Sequence, residues 1–288
     1  MKFKVFSTFI FLSRLFFAQT DINQQDTVKS IQISWEEIIP GFSYCETDAP
    51  YLSILNDSKI TFLKIIPKYF DFQLLIATEN GKKSLTVDQW ADSFRLNIVI
   101  NAGMYDLAKQ LSSKGYLQNY KHKNNPKIHP NYNSIIAFNP KDSHLPKFTV
   151  LDLQCETFEN IKSKYNCLAQ GLRMLDCNGE KIGWNKRKQS CSMLLTACDE
   201  EENIYFIFTR SPYTHNEMIH FLKKLPFKLI NAIYLEGGPQ TSLYVDVNKA
   251  NGENFCIQKV GSYVSETYPT DKNDYFWKLP NVIGLKVK

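Results

Sequence analysis

Tyr234-Leu235-Glu236-Gly237-Gly238-Pro239-Gln240-Thr241-Ser242-Leu243-Tyr244 is the segment on which the architecture of this chain turns. It begins within an apolar run, Ala232 to Leu235, of the kind found in strands covered on both faces. It then breaks into an acid, two glycines and two hydroxyl residues. A second segment, Ile100-Asn101-Ala102-Gly103-Met104-Tyr105, repeats that pattern after the apolar run Asn97 to Ile100. Glycine permits turns at positive φ and lets a ligand approach bare backbone. A polar side chain at the end of a buried strand, beside such a turn, is a common way to build a binding site. Two ordinary strand-to-loop turns would read the same way, and the pattern alone does not separate the two.

Outward from these segments, strand-like runs occur at Ile60–Ile66, Phe72–Ala77, Ser134–Phe138, Phe148–Leu153, Met193–Ala197, Ile204–Thr209, Ser242–Val245 and Val282–Val287. Helical patterns are fewer: Asp88–Phe94, Phe158–Leu168, and a segment starting at Thr214. Thr214 and Glu217 form a capping box, Met218, Phe221, Leu222 and Leu225 share a face, and Pro226 stops the run. That helix lies between the strands ending at Thr209 and starting at Ala232, as in a strand-helix-strand crossover. Many strands with a few inserted helices predict an α+β fold, a single mixed-sheet domain with a few helices packed on the sheet.

The amino terminus reads as an export signal. Lys2 and Lys4 precede the apolar run Val5–Leu12, and Leu15-Phe16-Phe17-Ala18 precedes Gln19 as a cleavage point. Residues 1–18 are therefore read as a signal peptide, 19–40 as an N-terminal linker and first strand, and 41–288 as the functional domain, in a periplasmic or extracellular location. Lys2, Lys4 and Arg14 carry three of the net +5 charges, so the mature chain carries +2. Such a balance gives no electrostatic case for nucleic acid or for broad attachment to anionic membranes. No later stretch is long and apolar enough to span a bilayer. Seven cysteines contain no C-x-x-C pair with nearby histidines, which argues against zinc, and export would favour one or two disulfides.

Several sets of catalytic parts are missing: G-x-S-x-G, H-E-x-x-H, the phosphate-cradling G-x-x-x-x-G-K-[ST] and G-x-G-x-x-G. His215 and His220 stand five apart on one helix, on different faces, and are read as surface residues. What remains is carboxylates, amides, hydroxyls and arginines beside glycine turns. Glu236 follows a buried run, and burial would raise its pKa and suit it to acid-base work. The amides of Gly237 and Gly238 could form an anion nest, with Thr241 and Ser242 adding hydroxyl donors. Glu236 closing its own turn is the plainer alternative.

These residues resemble the phosphodiester glycosidase family, whose members include the animal enzyme that uncovers mannose 6-phosphate by removing N-acetylglucosamine. The family's Asn-Ala-Gly-Met-aromatic motif is similar to Asn101–Tyr105, and its Leu-Asp-Gly-Gly motif to Leu235–Gly238. Ala169-Gln170-Gly171 resembles an intervening Gln-Ser-Gly-Pro segment, and Pro280-Asn281-Val282-Ile283-Gly284 the closing one. The resemblance covers residues 41–288. The chain departs from it in four places. Glu236 replaces Asp, Pro239-Gln240 displaces the expected serine, no arginine lies near Ser190–Ser192, and the segment after Gly171 lacks its proline.

The resemblance implies cleavage between a sugar's anomeric carbon and a phosphodiester oxygen, on a sugar-phosphate or glycan substrate and with no cofactor. It casts Glu236 as the catalytic carboxylate and Asp106 as a second acid or base, or a turn cap. Asn101, Gly103 and Gln170 would meet the sugar, Tyr105 would stack on its ring, and Arg173, Arg187 or Arg210 would hold the phosphate. Two alternatives share the fold: a catalytically inactive carbohydrate- or phosphoglycan-binding protein, and a secreted hydrolase of a related glycoside or phosphodiester. No ligand spacing dedicated to a metal is present.

Overall fold

Apolar residues alternating along facing strands build two antiparallel sheets that pack face to face. The computed structural model describes residues 31–106, 108–180 and 189–288, so the signal-like segment, the polar stretch after it and Arg187 lie outside the described residues. The strands are β1 (Glu36–Ile39), β2 (Phe42–Asp48), β3 (Lys59–Ile65), β4 (Phe70–Ile76), β5 (Ile98–Asn101), β6 (Leu117–Asn119), β7 (His122–Asn125) and β8 (Ser134–Pro140). They continue with β9 (Phe148–Asp152), β10 (Tyr165–Leu175), β11 (Ser190–Cys198), β12 (Ile204–Thr214), β13 (Asn231–Gly237), β14 (Ser242–Asn248), β15 (Asn254–Val260) and β16 (Asn281–Val287). The helices are α1 (Val87–Phe94), α2 (Phe158–Lys164) and α3 (His215–Leu222).

The larger sheet has eleven strands, in the order β1-β2-β3-β12-β11-β13-β10-β6-β7, with β8 added on β10 and β9 on β8. The smaller sheet runs β15-β14-β5-β16-β4. Between them lies the main core, with Leu63, Phe206, Leu194, Ile233 and Leu235 from the large sheet meeting Ile76, Ile98, Ile100, Leu243 and Ile283 from the small one. The outer faces are apolar too, and the helices cover them. Trp90 and Ala91 of α1 join Val99, Tyr244 and Val282. Met218, Phe221 and Leu222 of α3 join Leu195, Ala232 and Tyr234. Ile161 of α2 joins Ile135 and Leu168. Strands buried on both faces explain why Ile98-Val99-Ile100 and Ala232–Leu235 are unbroken apolar runs rather than alternating ones.

The protein is an α+β domain dominated by its sheets, with helices packed on them. The capping box at Thr214 forms as expected. The crossover it predicts is real at one remove: β12 and β13 each pair antiparallel with β11 and are therefore parallel to each other with β11 between them. The helix expected over Phe158–Leu168 stops at Lys164, and Tyr165–Leu168 open β10 instead. Cys167, Leu168 and Ala169 pair with Phe138, Ala137 and Ile136 of β8, and that long-range pairing outweighs a weak local helix preference. Cys155 and Cys177 form a disulfide, while Cys45, Cys167, Cys191, Cys198 and Cys256 are free thiols.

Trp90 is fully buried, and its Nε1–H donates to the Leu279 carbonyl at 3.0 Å. Trp90→Ala should cost about 3–5 kcal/mol of stability, read by urea denaturation; a loss below 1 kcal/mol would mean α1 does not hold the outer face of the small sheet.

Candidate active site

The chain passes from the large sheet to the small one between β13 and β14, through the turn Gly238–Gln240. Asn101, the last residue of β5, lies beside this passage. Its Nδ2–H donates to the Gln240 carbonyl at 3.0 Å, and its Oδ1 accepts the Ser242 N–H at 2.8 Å. The two glycine segments recognised in the sequence are thus joined by one carboxamide, which is spent on backbone and is buried.

Glu236 is aimed by an irregularity in β13. Leu194 of β11 faces Glu236 and Leu195 faces Tyr234, so Leu235 is one residue too many, and such a bulge redirects the side chains next to it. Gly237 is required by close approach: a Cβ there would lie 2.1 Å from the Tyr234 hydroxyl oxygen and 2.9 Å from Cys191 Sγ. Gly238 has φ +70°, where a side chain is strained, and its Cβ would strike Val264. The Gly237 N–H donates to Glu236 Oε1 at 3.1 Å, so the amide expected to cradle a ligand anion serves the protein's own carboxyl.

Glu236 is 8% exposed. Burial pushes its carboxyl up to about 7, opposed by the Gly237 N–H and by the positive charge of Lys114. Its charge in turn reaches Tyr105, Tyr132, Cys191 and Tyr234. Burial and the Glu236 charge hold Tyr105 well above the usual phenol range and push Tyr132 up to about 12, so both rings stay protonated donors. Burial likewise pushes the Cys191 thiol up to about 12 and leaves it unreactive. The result is a carboxyl that changes protonation near neutrality, fringed by two phenols.

The remaining sequence candidates occupy other positions. Asp106 Oδ1 accepts the Ala108 N–H at 2.9 Å and its backbone bonds to Ser112 and Lys109, which makes it a turn cap in this state. Gln170 uses its carboxamide internally: Oε1 accepts the N–H groups of Tyr116 and His129 at 3.0 and 2.9 Å, and Nε2 donates to the carbonyls of His129 and Tyr132. Arg173 is buried in an ion pair with Asp152 at 2.7 Å and donates to Gln154. Arg210 donates to the carbonyls of Val260 and Asn273 and pairs with Asp271 at 2.7 Å. Thr241 is buried, and Ser242 Oγ donates to the Gln240 carbonyl. Gly103, at φ +123°, turns the chain out of β5 toward Met104 and Tyr105. His215, read as a surface residue, is instead half-buried against the Tyr234 ring, 4.7 Å between centroids, while His220 is exposed.

The sequence reading did not single out Lys114, His129 and Tyr132. They lie on loops with no periodic pattern; Gln170 bonds the backbone of His129 and Tyr132, the charges of Lys114 and Glu236 act on one another, and that of Glu236 acts on Tyr132. The two cysteines near Asp152 that come within ligand distance of it are those of the disulfide, so they offer no thiolate to a metal.

A model of the phosphodiester glycosidase family matches residues 94–286, a span that carries both glycine segments and Gln170. The chain belongs to that family. Among solved structures, it is similar to a hypothetical protein from Synechocystis, with a TM-score of 0.58 at 13% identity, covering 89% of this chain and 64% of that one. It is also similar to the catalytic domain of zebrafish N-acetylglucosamine-1-phosphodiester alpha-N-acetylglucosaminidase, auto-inhibited by its pro-peptide, with a TM-score of 0.51 at 13% identity, covering 90% of this chain and 82% of that one. At such identities the likeness is one of fold. No curated protein matches the chain.

Two outcomes follow from this geometry. Asn101→Ala strands the Ser242 N–H and leaves the Gln240 carbonyl only the Ser242 hydroxyl, and should cost about 1–3 kcal/mol in chemical denaturation. Folding raises the Glu236 pKa from its ordinary 4.5 to about 7, so between those values the folded chain keeps a proton that the unfolded chain releases. Stability at this position therefore falls as pH rises through that window and stays low above it. Glu236→Gln should be more stable than wild type by ~3 kcal/mol at pH 8 and equal to it at pH 4. Equal denaturation midpoints at both pH values would show that this carboxyl is not held up.

Proposed function

We propose that this protein is an exported hydrolase that cleaves the bond between a sugar's anomeric carbon and a phosphodiester oxygen. The observation that carries the reading is the buried Glu236 carboxyl, set at the passage between the sheets within the matched family segment. The disulfide Cys155–Cys177 supports an oxidising compartment, and the signal-like amino terminus supports export. Among the described residues, no helix is long and apolar enough to cross a membrane.

The chemistry follows from the leaving group. A phosphate monoester spreads its charge over several oxygens and departs with less help than an ordinary alkoxide. The C1–O bond breaks with its electron pair going to the phosphate oxygen, and water adds at C1. The Glu236 carboxylate takes the proton of that water and its charge supports the oxocarbenium-like carbon. Tyr105 and Tyr132 stay protonated and can donate to substrate oxygens on either side. Asn101 and Gln170 act from behind, holding the loops that shape the site, while Asp106 keeps its turn.

A second reading has a specific observation behind it. Arg173 and Arg210 are committed to internal partners, and a carbohydrate-binding protein of the same fold has no need of a phosphate-neutralising arginine. Incubation with N-acetylglucosamine-1-phosphodiesters, followed by mass spectrometry of free sugar and phosphomonoester, separates the two. The enzyme should show turnover that rises from pH 5 to pH 8 as Glu236 ionises and drops at least about 100-fold in Glu236→Gln. Binding without turnover across the panel would favour the non-catalytic reading.

A further inference from the structure

Gln170 holds two loops at once, and each brings a group that suits an anion. The first is Lys114-Gly115-Tyr116. The Lys114 N–H donates to the Met104 carbonyl at 2.9 Å, and Tyr116 N–H donates to Gln170 Oε1 at 3.0 Å. Between them, a Cβ on Gly115 would lie 2.6 Å from the Gln170 carbonyl oxygen and 3.0 Å from the Tyr132 ring, so the loop lies flush against β10. The side chain of Lys114 is left exposed at this rim, and among the described residues its ammonium enters no ion pair or hydrogen bond. The second loop is His129–Tyr132, whose backbone bonds to the Gln170 carboxamide through His129 N–H, His129 C=O and Tyr132 C=O.

The His129 ring is fixed in two ways. It stacks on Tyr132 with centroids 3.9 Å apart, and its Nδ1 accepts the Asn131 N–H at 3.3 Å. With Nδ1 an acceptor, the neutral ring carries its proton on Nε2, which is a donor. The Lys114 charge acts on both His129 and Glu236, which puts the ammonium, the imidazole and the carboxyl in one electrostatic neighbourhood. Tyr132 joins them, since it also senses the Glu236 charge and its hydroxyl reaches Met104 Sδ at 3.7 Å.

We propose that Lys114 Nζ and His129 Nε2–H form the phosphate subsite beside Glu236, a role that Arg173 and Arg210, committed to internal partners, do not fill. The assignment rests on the phosphodiester reading of the site and names the groups that take its anionic part. Lys114 supplies charge and His129 a directed hydrogen bond, which together place the phosphate at the rim and the sugar over Glu236. Gln170 is a positioning residue that sets the spacing of the two.

The test is calorimetric binding of inorganic phosphate and glucose 1-phosphate to the wild-type protein, Lys114→Met, His129→Ala and Glu236→Gln, with melting temperatures of each. The wild type and Glu236→Gln should bind both ligands. Lys114→Met should weaken glucose 1-phosphate about 10–100-fold and His129→Ala about 5–10-fold, the range for losing one charge-assisted or one neutral hydrogen bond, with melting temperatures unchanged. For any phosphodiester turned over, Lys114→Met should raise KM by the same factor and leave kcat within about threefold. Wild-type affinity for neither ligand, or Lys114→Met binding as the wild type does, would overturn the subsite. Phosphate binding lost in Lys114→Met while no phosphodiester is cleaved would support the subsite and count against catalysis alone.

Discussion

The Asn101 carboxamide anchors the site end of the small sheet, because it ties the end of β5 to the last residue of the turn after β13 and to the first residue of β14. That turn carries the chain from the large sheet to the small one, so the clamp fixes where the chain enters the small sheet after Glu236. A donor and an acceptor on one side chain, both spent on buried backbone, leave the alternative arrangement with unpaired polar groups. Asn101 therefore serves the candidate site through geometry, by fixing the backbone that follows Glu236.

Glu236 itself is held against its own solvation preference. A carboxyl with one local N–H and one lysine charge nearby has too little compensation for full ionisation in a buried setting, and its pKa rises accordingly. Catalytic acids and bases are tuned in this way, and here the tuning costs stability above neutrality. Tyr105 and Tyr132 respond to the same field and keep their protons, so the site offers donors that do not titrate around a group that does.

Gln170 shows how the polar residues of such a site divide their work. From the resemblance alone it would orient sugar hydroxyls, yet all four of its described bonds go to the backbone of two loops. Arg173 and Arg210 are likewise occupied inside the fold. The proposed anion subsite accordingly falls to Lys114 and His129, on loops that Gln170 holds.

Much of the fold was legible from local pattern. Strands buried on both faces leave unbroken apolar runs, and all ten such runs form strands. The Thr214 box and the apolar face behind it mark α3 because capping and helical periodicity are properties of neighbouring residues. The same locality explains what was missed. Tyr165–Leu168 look helical until β8 pairs with them, and the short strand β6 is set by β10, distant in the chain, with β7 folded back on it as a hairpin. For the candidate site, the sequence by itself marked Glu236, the glycines beside it and the segment of Asn101, because each breaks a buried strand with a polar group. Only the tertiary structure decided that Asn101 and Gln170 bond backbone, that Asp106 caps a turn, and that the Lys114 charge acts on the carboxyl. Those assignments depend on distances between residues far apart in sequence, which no local pattern encodes.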